Sequence, residues 1–283
     1  MTAFRQEKLL SLPFGNISAR FWGTPGCPRV LALHGWLDNS ATFDRLIPQL
    51  EELELVAIDL PGHGFSDHRA PALNYHFVDW IPEIIQVLDC LQWEKCSLMG
   101  HSLGGAIATL VAASFPKRVQ QVALIESLGP LSQPESIIAD QLRKHVESWI
   151  ALPKKKLPIY QDLEDATRAR QKAGNLSLIG ARVLTERGTK PTEGGVTWRS
   201  DPRLKVPSAF RMSEPQVLAF IRAIQCTVLV IRAKHGLPFD EKIIKERLKA
   251  FSSMTLEEIE GGHHVHLDSP DVVSGLLKGF FKD

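Results

Sequence analysis

The chain has 283 residues, of which 44% are hydrophobic and 23% charged, and its formal net charge is +1. That length and apolar content suffice for a large core, read as one domain with an insertion. The near-neutral charge offers no argument for a nucleic-acid or anionic-membrane partner, and no apolar run is long enough to span a bilayer.

Residues 7–23 read as a β-hairpin, with runs at 9–12 and 17–22 flanking a Pro13-Phe14-Gly15-Asn16 turn. Residues 29–33 form a short apolar run, a buried strand, and lead into His34-Gly35-Trp36. Residues 41–50 read as a short helix with Asn39 or Ser40 as its N-cap. The next strand, 53–60, ends in Asp59-Leu60-Pro61-Gly62-His63-Gly64-Phe65-Ser66. Apolar residues then recur at helical spacing over 77–91, with Pro82 in the first turns.

A buried strand at 96–99 runs directly into Gly100-His101-Ser102-Leu103-Gly104. Small and apolar residues follow at helical spacing from 105 to 115, and Pro116 ends the pattern. Ser102 is therefore expected on a strand-to-helix corner. Such a corner strains the backbone and crowds its neighbours, and Gly100, Gly104 and Gly105 have no side chain to block that approach. The helix that begins there aims free N–H groups at the same point. Another strand, 119–125, ends in Glu126. Strands alternating with helices predict an α/β fold with a mostly parallel sheet and helices on both faces.

The alternation stops between 127 and 225. That stretch is polar and helical in pattern, broken at Pro153, Pro158, Gly188, Pro191, Gly194-Gly195 and Pro207, and reads as an inserted helical lid. Within it, Lys154-Lys155-Lys156 reads as a solvated turn. Trp149, Tyr160, Trp198, Phe210 and Phe220 read singly as lid core, and as a set as including some that line a pocket. Alternation resumes with a strand at 226–232, a helix at 241–251, a strand at 254–259 and a helix at 271–281. The expected organisation is core 1–126, lid 127–225, core 226–283. Cys27, Cys90, Cys96 and Cys226 are scattered, and Met1 to Lys8 lacks the apolar core of a signal peptide. Both features predict reduced thiols in a cytoplasmic protein.

His34-Gly35-Trp36, Asp59-x-Pro61-Gly62-His63-Gly64-x-Ser66, the Ser102 corner and Gly262-His263-x-x-His266-x-Asp268-x-Pro270 stand in that order. Together they resemble the α/β-hydrolase fold, in the group that includes epoxide hydrolases, haloalkane dehalogenases and lidded esterases. G-x-S-x-G between a strand and a helix is that fold's nucleophile elbow. The stretch from Arg187-Gly188-Thr189 to Trp198-Arg199-Ser200-Asp201-Pro202-Arg203-Leu204 is further similar to serine hydrolase-like proteins. The resemblance implies an eight-stranded, mostly parallel sheet flanked by helices, with Ser102 as nucleophile. Epoxide hydrolases and dehalogenases carry an aspartate there. A serine suits acyl transfer instead.

The resemblance makes His263 the general base, with His264 and His266 as near rivals. A metal site on these histidines is not expected, for there is no H-E-x-x-H pattern. Many members carry an aspartate a few residues after the strand at 227–232. Here that loop reads Ala233-Lys234-His235-Gly236, with glycine at the acid's position. Glu126 follows the strand after the elbow helix, where some dehalogenases and the serine hydrolase-like group carry their acid. Asp240 is the alternative and Asp268 a third choice. A carboxylate is needed to fix the imidazole tautomer and steady the imidazolium. The oxyanion would be held by the backbone N–H groups of Trp36 and Leu103. His34, His63 and Asp59 read as loop braces, and His101 as a pocket wall.

The expected function is a serine hydrolase cleaving small-molecule carboxylic esters through Ser102, His263 and Glu126. No cofactor, metal, nucleic-acid or membrane partner is expected. A rival keeps the triad for carbon–carbon bond hydrolysis or cofactor-free haloperoxidase or perhydrolase chemistry. A rival of another class is a non-catalytic binding protein, supported by Gly236.

Overall fold

The computed structural model describes residues 4–50, 52–154 and 157–282. Lys155 and Lys156, from the run read as a solvated turn, lie outside the described residues, as do Met1 to Ala3.

Strands β1 (Phe4–Leu12) and β2 (Gly15–Gly23) form the expected antiparallel hairpin. They are followed by β3 (Arg29–Leu33), β4 (Glu54–Ile58), β5 (Cys96–His101), β6 (Val119–Ile125), β9 (Thr227–His235) and β10 (Met254–Gly262). Among the described residues these form one eight-stranded sheet in the order β1-β2-β4-β3-β5-β6-β9-β10. From β4 to β10 every pairing is parallel. The central strands read as unbroken apolar runs because both of their faces are covered. Successive side chains point to opposite faces. Leu31, Leu33, Leu98 and Val230 therefore join one apolar cluster, with α1 (Trp80–Cys90) and α2 (Leu103–Ser114) packed on that face. Val30, Ala32, Met99 and Ile231 join the other, with α9 (Pro270–Phe281). Each of these leucine, valine, isoleucine and methionine side chains contributes roughly 1.5–3 kcal/mol on burial.

The stretch expected to form a helix at 41–50 is instead two 3₁₀ turns, Ser40–Phe43 and Ile47–Gln49. Pro48 supplies no N–H to continue a helix. Asn39 does cap the first turn, accepting from the Ala41 N–H at 3.1 Å.

Residues 127–225 hold α3 (Ile138–Ala151), α4 (Leu163–Gly174), α5 (Leu178–Gly188) and α6 (Glu214–Ala223). They also hold a hairpin, β7 (Thr189–Thr192) and β8 (Gly195–Trp198), which the helical reading did not anticipate. Its turn needs the positive φ of Gly194 and Gly195. Trp198 and Tyr160 meet edge to face at 5.7 Å, but Phe210, expected in the interior of this segment, is 60% exposed. Helix α5 packs on the Ser40–Phe43 turn and on α8 (Val265–Asp268), and α6 packs on α2. This segment thus touches the loops that leave the carboxyl ends of β3 and β10. No described helix is long and apolar enough to cross a membrane.

Arg187, at the end of α5, fastens this segment to the core. Its guanidinium pairs with the fully buried Asp59 at 2.7 Å and reaches Glu7 at 2.6 Å. Arg187→Ala would leave the Asp59 charge buried and unpaired, a change that costs about 3–5 kcal/mol. Urea unfolding of the variant is expected to show a loss of that order. A loss below about 1 kcal/mol would mean that water reaches Asp59 freely.

Candidate active site

Ser102 stands between β5 and α2 with φ 51° and ψ −111°. A non-glycine residue there carries strain of roughly 1–3 kcal/mol, which is common where a side chain must be aimed. A Cβ on Gly104 would strike the Leu33 carbonyl, so only glycine lets the first turn of α2 close against the end of β3. That approach lays the start of α2 beside the loop carrying His34, Gly35 and Trp36. Leu103 is the first residue of α2, and its N–H is one of the helix's free donors.

The loop beside it is braced. The Leu60 N–H donates to His34 Nε2 at 2.9 Å, and the Leu37 N–H to His63 Nε2 at 3.2 Å. Asp59 accepts from the Ser40 N–H at 2.7 Å and the Phe65 N–H at 2.8 Å. The Trp36 indole N–H donates to the Leu204 carbonyl at 3.0 Å.

His263 lies between β10 and α8, and its Nδ1 is 3.2 Å from Glu126 Oε2. Glu126 directly follows β6 and, like Ser102, has a positive φ of 51°. Backbone amides hold its carboxylate: Ala233 N–H donates to Oε1 at 2.6 Å and Leu237 N–H to Oε2 at 3.2 Å. A Cβ on Gly236 would overlap that carboxylate. The glycine where an acid was looked for is therefore what gives Glu126 its room. The alternative acid is engaged elsewhere. Asp240 caps α7 (Glu241–Ala250), accepting from the Lys242 N–H at 2.8 Å and the Ile243 N–H at 3.3 Å. Asp268 accepts from the Ser177 N–H at 3.2 Å.

The rival histidines point away from Glu126. His266 Nε2 lies 2.7 Å from Thr42 Oγ1, and His264 Nε2 lies 3.2 Å from Asp38 Oδ2. His101 is not a pocket wall. It is buried beneath His263, with ring centroids 4.7 Å apart and Nε2 2.9 Å from the His263 carbonyl. Burial lowers the His263 pKa, Glu126 opposes that, and the neighbouring His101 adds to the lowering.

Sequence reasoning missed Asp38 and Arg170, which meet in a buried ion pair beside these histidines. The only local signal was Asp38's place four residues past His34. Asp38, His101 and His264 each bring a possible ligand atom within 4.8 Å of the others. The Arg170 guanidinium already neutralises that carboxylate.

A strained serine on a strand-to-helix corner, with a histidine–carboxylate contact at the same carboxyl edge of a mostly parallel sheet, defines an α/β-hydrolase. A family profile described as the alpha/beta hydrolase fold matches residues 28–270. A serine hydrolase-like protein of Danio rerio is 31% identical, over 98% of this chain and 88% of that one. The crystal structure of a hypothetical protein from Pseudomonas aeruginosa superposes with a TM-score of 0.94 at 36% identity, over 99% of this chain and 100% of that one. A thioesterase domain from the curacin biosynthetic pathway superposes with a TM-score of 0.86 at 26% identity, over 97% and 99%. The chain belongs to the α/β-hydrolase family, among its serine hydrolase-like proteins.

Proposed function

We propose that the protein hydrolyses carboxylic esters through an acyl-enzyme on Ser102. The observation that carries this reading is the Glu126–His263 contact at the sheet edge that also holds the Ser102 corner. His263 takes the Ser102 proton as Oγ attacks the carbonyl carbon, and Glu126 steadies the imidazolium. The amides of Trp36 and Leu103 receive the oxyanion. The imidazolium then protonates the leaving alkoxide. Water, activated by the same histidine, releases the acid and restores Ser102. These steps use the chain's own groups and water alone.

Residues 127–225 act in this reading as a lid that carries substrate preference. Their contacts with the Ser40–Phe43 turn and α8 support that role. The cysteines, none of them in a disulfide among the described residues, fit a reducing cytoplasm. The test is labelling of Ser102 by a fluorophosphonate, with a panel of p-nitrophenyl esters of rising chain length. Absence of both label and turnover would overturn the reading. The likeness to a thioesterase domain favours a second substrate, a thioester, by the same steps with a thiolate leaving. Matched oxygen and sulfur esters of one acyl group rank the two.

The base also sets a pH dependence. Only neutral His263 accepts the Ser102 proton, so activity is present above its pKa and lost as pH falls through it. Burial holds that pKa below the ordinary value of about 6.5. The acid limb of kcat/KM is therefore expected to have its midpoint below pH 6.5. A midpoint above the ordinary histidine value would contradict the assignment.

A further inference from the structure

Asp38 sits on the loop after β3 with a side chain only 1% exposed. One oxygen accepts from the Arg170 guanidinium, brought by α4. The other lies 3.2 Å from His264 Nε2 and 3.6 Å from His101 Nδ1. A Cβ on Gly35 would sit 2.8 Å from His101 Nδ1 and 2.9 Å from Asp38 Oδ2, so this glycine leaves the space in which the two groups meet.

The cluster reaches the base by two routes. His264 is the residue next to His263. His101 immediately precedes Ser102, and its Nε2 faces the His263 carbonyl at 2.9 Å. A carbonyl only accepts, so that nitrogen carries a proton. His101 Nδ1 then faces the Asp38 carboxylate, and it has no hydrogen-bond partner although it is buried. Both ring nitrogens of His101 thus look onto oxygen acceptors, and a neutral ring satisfies only one of them. A proton entering this cluster is favoured by Asp38 and opposed by Arg170. The titratable and charged groups around His263 are Glu126 after β6, His101 on β5, His264 beside it on its own loop, His266 on α8, and Asp38 with Arg170 behind it.

We propose that Asp38 and Arg170 are a positioning pair for the base. Asp38 ties the nucleophile corner and the histidine loop to α4, and Arg170 sets how much of its negative charge His263 feels. Seating of α4 and readiness of the base are then one event. This rests on the reading of His263 as the base.

The test uses Asp38→Asn, Arg170→Gln and Arg170→Lys in the full chain, with circular dichroism to confirm folding. Asp38→Asn removes a charge that favours protonated His263. It is expected to lower kcat on one p-nitrophenyl ester by on the order of 10-fold to 10²-fold, the scale of a misplaced catalytic group. It should also move the acid limb of kcat/KM to lower pH. Arg170→Gln leaves Asp38 uncompensated and should move that limb to higher pH. Arg170→Lys should return it toward the parent. Opposite shifts are what a merely structural pair would not produce. Shifts of one sign, or none, in folded variants would overturn the proposal. If Asp38→Asn does not fold, the two Arg170 variants decide alone. NMR titration of the histidine side chains reads the same opposed shifts without substrate. It therefore tests the pair even if the esterase reading fails, which unlabelled, inactive parent protein would show separately.

Discussion

Replacing Ser102 with alanine is expected to lower kcat by on the order of 10³-fold or more, since loss of a triad nucleophile has that scale elsewhere. The fold should persist. The Ser102 side chain makes no capping hydrogen bond to α2, so its oxygen holds up no structure. Alanine keeps the same strained φ of 51°, and thermal unfolding of Ser102→Ala should match the parent. Ser102→Gly gives a sharper contrast. Glycine adopts that backbone with little strain, so this variant should be equally inactive yet more stable, by up to roughly 1–3 kcal/mol. Activity and stability moving in opposite directions at one position would mark a residue retained for chemistry. Most of the parent's turnover surviving in pure Ser102→Ala would end the serine-hydrolase reading.

The elbow was legible in the sequence because its requirements are local. Gly100 must be glycine for a contact with the Gly104 and Gly105 backbone that forms as soon as β5 turns into α2. Glu126 was legible for a related reason, being the first residue past an apolar strand, where parallel sheets present their chemistry. Its partner was favoured as His263 by the spacing from Pro270 and the preceding Gly261-Gly262, although three histidines fall within four residues of the chain. In the structure His264 turns toward Asp38 and His266 toward Thr42, leaving His263 to Glu126. Asp38 and Arg170 were invisible because they are 132 positions apart and meet through an inserted segment. The β7–β8 hairpin was missed because its strands are four residues each, too short for a period to show.

The glycine at 236 has two opposite readings in sequence, a lost acid or a displaced one, and the geometry separates them by experiment. Glu126→Gln is expected to lower kcat by on the order of 10³-fold or more, because an amide neither fixes the tautomer nor balances the imidazolium. Asp240→Asn should change kcat little, since asparagine caps α7 nearly as well as aspartate. Gly236 is not among the positive-φ glycines, so an aspartate can be accommodated there once the carboxylate of Glu126 is out of its way. Gly236→Asp alone should therefore be harmful, its side chain pushing Glu126 off His263. Glu126→Ala together with Gly236→Asp frees that volume and supplies a carboxylate from the loop after β9. The pair should recover part of the activity that Glu126→Ala loses, a coupling of opposite sign to the single changes. The measurement is kcat for all these variants on one active ester, with circular dichroism to confirm folding. If Asp240→Asn is the crippled variant, the acid belongs to α7's cap and Glu126 is structural. If the double variant is no better than Glu126→Ala, the space over Gly236 is not a position from which His263 can be held.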